Sequence, residues 1–164
     1  MENIGTKWED GKVALSQVYM AGKICEEIVD ELIPQTNTKR IGDPNLAIVV
    51  YKDFHMLGKR IVYTFLRASG YEVLDLGQEN SIENLIQNIK KENIEILLIS
   101  VLMLNSALNV KELISKMRDE GLTTKVVVGG APFRFDKNLY KEIGADDFGT
   151  NASEVLKIIK RLKA

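Results

Sequence analysis

One cysteine and one histidine in 164 residues leave little room for several kinds of chemistry. The lone Cys25 excludes an internal disulfide framework and fits a reducing compartment, hence an expected cytoplasmic location. It lies in a helix-like stretch and reads as a small hydrophobe rather than a reactive thiol. One His and one Cys cannot build a dedicated transition-metal cage. Excess positive charge is missing too. The formal net charge is −1, so broad phosphate neutralisation is not on offer and nucleic acid is not expected as a partner. No apolar run reaches membrane-spanning length, and the polar, acidic start, MENIGTKWEDGK, is unlike a secretory signal. What is present is globular material, 45% hydrophobic and 27% charged, enough for one core and too apolar for a disordered chain.

The apolar pattern changes along the chain. From 8 to 33, Val13, Leu15, Val18, Tyr19, Ile24, Ile28, Leu32 and Ile33 recur at three- and four-residue spacings and predict a helical arm. Gly11 and Gly22 allow it to be two short helices. The arm takes residues 1–34, and a polar stretch without period, 35–45, reads as a linker to a domain over 46–164. That domain alternates. Strands are predicted at 46–50, 71–77, 95–101, 125–130 and 145–149, and helices at about 57–68, from Ser81, at 107–119, near 137–143 and at 153–162. LAIVV at 46–50 is wholly apolar and β-branched, as for a strand buried on both faces. Alternation of this kind means right-handed βαβ units, and five strands suit a doubly wound, flavodoxin-like (Rossmann-like) α/β sheet of order 2-1-3-4-5. In that order ligands bind outside the carboxyl ends of strands one and three, just after Tyr51 and Ile99.

The first of these places carries Asp53-Phe54-His55-Met56-Leu57-Gly58 and the chain's single histidine. Residues i and i+2 of extended backbone share a side, so Asp53 can reach the imidazole. A carboxylate on one ring nitrogen fixes the tautomer and raises the basicity of the other, as a metal-ligating histidine requires. Gly58 lets the chain turn closely beneath a large planar ligand. An ordinary surface pair would look the same at this level. A metal that takes one protein ligand, the rest coming from a macrocycle, escapes the objection raised above against a protein-only cage.

Asp53-x-His55-x-x-Gly58, then Ser100-x-Leu102, then Gly129-Gly130 resemble the three-part signature of cobalamin-binding domains of the base-off, histidine-on type. The three parts stand in order after strands one, three and four, and the likeness spans roughly residues 45–162. Residues 5–34 resemble the last part of the helical module of methyl-carrying corrinoid proteins. The resemblance implies cobalamin, as methylcobalamin or another corrinoid, with His55 as the lower cobalt ligand and Asp53 as its hydrogen-bond partner. Met56, Leu57 and Gly58 belong to the same loop. Ser106 stands where the family often completes a ligand triad. Ser100 would meet the buried benzimidazole and Leu102 would line its slot. Gly129 and Gly130 would let the nucleotide tail lie on their backbone, with Ala131, Phe148 and Thr150 beside it.

Each has a plainer reading: Ser100 and Leu102 as a strand end, Gly-Gly as a turn, Ser106 as a helix N-cap, Phe148 as core. Met56 and Leu104 replace an Asp and a Thr common in the family, which suggests a less polar slot. The arm is expected to be a shortened helical cap whose apolar face needs a partner, either a second copy in a homodimer or another protein. The function implied is a methyl carrier serving separate methyltransferases, the cobalt cycling between Co(I) and methyl-Co(III). The alternatives are the small subunit of an adenosylcobalamin-dependent mutase and a non-enzymatic cobalamin storage, delivery or sensing protein. Flavin binding is disfavoured because the first loop lacks phosphate-cradling hydroxyls and glycines, and receiver-type signalling because no phospho-acceptor pocket is apparent.

Overall fold

The computed structural model describes residues 44–163 throughout and, ahead of them, residues 7, 11–14, 16, 17, 20, 21, 24, 27, 28 and 31. The chain divides into two units, Met1–Pro34 and Gln35–Ala164. In the first, residues 16, 17, 20, 21, 24, 27, 28 and 31 are helical and follow a turn at Gly11, whose φ is +70°. Met20, Ile24 and Ile28 stand exposed at four-residue spacing on that helix. Cys25, Gly22 and the expected linker from 35 to 43 lie outside the described residues.

The second unit runs β1 (Leu46–Tyr51), α1 (Leu57–Ala68), β2 (Val73–Glu79), α2 (Ile82–Lys91), β3 (Ile96–Ser100), α3 (Leu104–Asp119), β4 (Lys125–Gly129), α4 (Ala131–Phe135), α5 (Leu139–Glu142), β5 (Asp147–Gly149) and α6 (Ala152–Lys163). The strands form one all-parallel sheet in the order β2-β1-β3-β4-β5, the flavodoxin-like order expected. All six residues of β1 are buried, which explains a strand without a polar alternation: helices cover both faces. Ala47, Val49, Tyr51, Leu97, Ile99, Val126 and Val128 pack with α2 and α3. Ile48, Leu98 and Val127 point the other way, towards Leu66 of α1 and Val155, Ile158 and Ile159 of α6. Each such side chain contributes about 2 kcal/mol of apolar burial.

β5 is two residues shorter than expected, and β2, α3 and α4 depart from the pattern in ways the structure explains. β2 starts at Val73 and runs to Glu79, because its register against β1 shifts between Ile48 and Val50, beside Gly77 at φ +68°. The bulge lets the strand continue past a glycine that looked like its end. α3 begins at Leu104, three residues early, and its N-cap residue Met103 has no side-chain cap. The Asp53 carboxylate, from the loop after β1, stands there instead and accepts the Met103 amide. The short helix expected near 137–143 is present as α5, and a further short helix, α4, precedes it where none was expected. Gly130 at φ +123° turns the chain directly into α4, where Pro132 is preorganised for a first helical turn.

Candidate functional site

β1 ends in a turn that an L-residue rarely makes: Lys52 has φ +46°. Its amide donates to the Glu79 carbonyl at 3.0 Å, and its carbonyl accepts the Ser106 hydroxyl at 2.6 Å. The turn delivers Asp53 to a position only 2% exposed, between the loops after β1 and β3. Its Oδ1 accepts the amides of Phe54 (2.7 Å) and His55 (3.2 Å) and meets His55 Nδ1 at 2.6 Å; its Oδ2 accepts the amides of Leu102 (2.7 Å) and Met103 (3.0 Å). Burial pushes the carboxyl pKa up. The bonds from Met103, His55 and Leu102 together outweigh burial and hold it well below the usual carboxylate range. The ionised group also sits at the start of α3, where negative charge is favoured by the helix dipole.

An acceptor-only carboxylate against Nδ1 places the ring proton there and leaves the Nε2 lone pair free. Nε2 has no hydrogen-bond partner among the described residues, and the side chain is 52% exposed. The loop thus has a buried, fully bonded end and an open, coordinating end. Around the imidazole stands an apolar collar, with Phe54 80%, Leu102 44%, Met103 55% and Leu104 58% exposed. Met56 is half-buried as the N-cap residue of α1, and Leu57 is half-buried in its first turn. Among the described residues no cluster of three His, Cys, Asp or Glu could hold a bare metal ion. One free imidazole nitrogen inside a hydrophobic rim fits a metal that arrives inside a macrocycle.

Beside the histidine the sheet loses its side chains. Val50, Ser100, Gly129 and Gly149 stand in register across β1, β3, β4 and β5, on the face covered by α1 and α6. The row shrinks from valine to serine to two glycines. The Ser100 hydroxyl is half-buried and has no hydrogen-bond partner among the described residues. A Cβ on Gly58 would stand 3.2 Å from Ser100 Oγ, and one on Gly149 would stand 2.9 Å from Val155 Cγ2. The row therefore offers a floor of bare backbone and one free hydroxyl, the donor set an aromatic base with a nucleotide tail needs. Gly130 has a different reason to be glycine: a Cβ there would lie 1.7 Å from the Val101 carbonyl oxygen.

The structure gathers most of the residues singled out in sequence and disperses a few. Asp53, His55, Met56 and Leu102 stand on the two loops, Leu57 and Gly58 open α1, Leu104 and Ser106 lie in the first turn of α3, and Ser100 and Gly129 share the bare row. Ser106 is inside the first turn of α3 and does not cap it; nor does its hydroxyl go to Asp53. Phe148 belongs to the opposite face, stacked on Tyr140 with ring centres 4.9 Å apart, since strand neighbours alternate faces. Thr150 spends its hydroxyl on Glu154 (2.6 Å) ahead of α6, and Ala131 opens α4. Gly149 escaped sequence reading. Only its pairing with Gly129 reveals it, and pairing register is not written in a three-residue strand.

A flavodoxin-like sheet that presents one carboxylate-oriented histidine within an apolar collar, next to a row of missing side chains, defines a corrinoid-binding domain. Residues 45–158 match the family described as B12 binding domain. The chain is 36% identical to monomethylamine corrinoid protein 1 of Methanosarcina barkeri, over 96% of this chain and 76% of that protein. It is 34% identical to dimethylamine corrinoid protein 2 of Methanosarcina acetivorans, over 99% and 76%. The solved structure of the Methanosarcina barkeri monomethylamine corrinoid protein superposes with a TM-score of 0.79 at 30% identity, covering 98% of this chain and 77% of that one. The chain belongs to the B12-binding domain family, its cofactor is a cobalamin-type corrinoid, and it is homologous to the methylamine corrinoid proteins.

Proposed function

We propose that this protein is the corrinoid methyl carrier of a methyltransferase system of the methylamine type, with cobalamin held base-off and His55 Nε2 as the lower cobalt ligand. The observation that carries the reading is the Asp53–His55 pair: Nδ1 is tied to a buried carboxylate at 2.6 Å and Nε2 is open. The cofactor supplies a cobalt that takes up and releases a methyl group. The chain's own part is to orient one imidazole lone pair, to keep water from the lower face with Phe54, Leu102, Met103 and Leu104, and to offer Ser100 and the Gly129–Gly149 floor to the benzimidazole tail. Gly58 gives α1 its close approach to that floor.

Separate methyltransferases, sharing its cytoplasmic location, are the proposed partners that load and unload the cobalt. The exposed stripe Met20, Ile24 and Ile28 is the proposed contact of the arm with a second copy, and sedimentation of the full chain tests it. His55→Ala is the decisive variant. It is expected to retain the fold, lose the histidine-bound absorption spectrum of methylcobalamin and lose methyl transfer. A variant with spectrum and transfer unchanged ends the proposal.

A further inference from the structure

We propose that the buried Lys59–Asp75 ion pair positions one wall of the slot beside His55. It fixes the first turn of α1 against β3 and so sets how well the site holds the nucleotide tail of a corrinoid, as distinct from the macrocycle. The inference rests on the reading of the bare row as the floor for that tail. Its own support is the uneven way α1 is fastened. Only Lys59 and Leu66 of this helix are buried. Leu66 belongs to the cluster of Ile48, Leu98 and Ile159 and fastens the far half. The first turn has no such anchor, since Leu57 is half-buried and Ile61 exposed. Nor is the start capped: Met56 makes no side-chain cap bond, and no acidic residue stands in the first turn. What holds this end is an ammonium group, which loses its water there and opposes the helix dipole.

Its anion is Asp75, whose Oδ1 is itself fixed by the Gly77 amide at 2.7 Å. Asp75 pairs with Ile48, two residues before Val50, so the ion pair lies one layer beneath the bare row. The chain neighbour of Lys59 is Gly58, and a Cβ there would stand 3.2 Å from Ser100 Oγ. The first turn of α1 is therefore the wall of the slot at its Ser100 end. Apolar packing is non-directional, and a turn held by it slides along the sheet at little cost. A buried, hydrogen-bonded ion pair is directional and fixes the depth and the lateral place of the turn. Without the pair nothing directional holds the turn: an ammonium left alone must reach water, and a neutral side chain sets no distance. The wall then leaves Ser100, and the tail loses its fit and the hydroxyl bond. The corrin ring keeps its place, because Asp53 ties His55 to the amides of Leu102 and Met103 and not to α1.

Dissociation constants of the full chain for two probes decide it: methylcobalamin, and methylcobinamide, the same methylated macrocycle without the nucleotide tail. They are measured in Lys59→Met and in Asp75→Asn. Each variant is expected to bind methylcobalamin about tenfold more weakly, the contribution of one hydroxyl hydrogen bond with its packing. Each is expected to hold methylcobinamide within about twofold of the unchanged protein. A pair that served only the fold would weaken both corrinoids by one factor, through the loss of folded protein. Equal losses, or none, therefore overturn the proposal. Lys59→Met combined with Asp75→Leu covers the case in which a single change does not fold. It fills the same space without charge and is expected to keep the tail-selective loss. If it restores the unchanged protein's preference, or does not fold, the proposal is overturned, because the pair is then replaceable packing or a condition of the fold. His55→Ala keeps the two readings apart. If it changes neither corrinoid's spectrum, the cobalt reading fails, while the comparison of the two corrinoids still reports on the slot.

Discussion

Asp53 is the residue through which the loop after β1 and the start of α3 are joined. A buried carboxylate is costly unless donors replace its water, and here four amides and an imidazole do so. Asp53→Asn keeps the shape but turns an NH2 towards groups that need an acceptor. It is expected to cost about 2 kcal/mol in urea denaturation and to weaken the histidine-bound spectrum. The sign of the acid dependence follows from the lowered pKa. The stabilisation is complete above the unfolded carboxyl value of about 4 and is lost as pH falls below it, so the variant should show a shallower acid transition.

Tyr51 behaves oppositely. Its hydroxyl is buried with no hydrogen-bond partner among the described residues, and burial, then Glu112, Glu83 and Glu79, push its pKa up to about 12. A raised value means that native stability is full below about pH 10 and declines between about 10 and 12. Tyr51→Phe removes an unsatisfied group. It is expected to raise stability by about 1 kcal/mol at neutral pH and to flatten the alkaline decline, both read by thermal melts across pH.

At the scale of elements, α1 carries an unusual burden. Lys59 is 2% exposed in its first turn, the end where a helix disfavours a cation, and it is answered by Asp75 on β2. Asp75 Oδ1 also accepts the amide of Gly77 at 2.7 Å, so one carboxylate fastens both the first turn of α1 and the bulge in the edge strand. Asp75→Asn strands the buried ammonium. The expected loss is about 2 kcal/mol, below the usual range because the aspartate side chain is 36% exposed. The double change Lys59→Met with Asp75→Leu should restore most of it, as measured by urea midpoints. Elements of this sort were unevenly legible. β1 and α1 stood out because an unbroken apolar run and a strong helical period leave no competing assignment. α4 was hidden because five residues after a double glycine carry no period, and β2's length was hidden because a bulge is a property of two strands.

For the whole molecule, the complete sheet and the helices on both of its faces lie within Gln35–Ala164. Residues 35–164 alone are therefore expected to fold, with a melting temperature within about 5 °C of the full chain, and to give the same histidine-bound cobalamin spectrum. Loss of the fold on removing the arm would refute this. Among the described residues no helix is long and apolar enough to cross a membrane.

The sequence by itself determined the sheet order, the switch point and the histidine. Alternating periods dictate βαβ units, their handedness dictates the order, and a single imidazole leaves one candidate at the opening. Tertiary structure decided the rest, because the rest consists of relations between segments far apart in the chain. The Asp53 carboxylate meets amides 49 and 50 residues away, the bare row exists only when β1, β3, β4 and β5 are in register, and the Ser106 hydroxyl finds a carbonyl 54 residues back. Local pattern records what a residue buries. It does not record which distant backbone atom a buried polar group must satisfy, and at this site those pairings set where the histidine points.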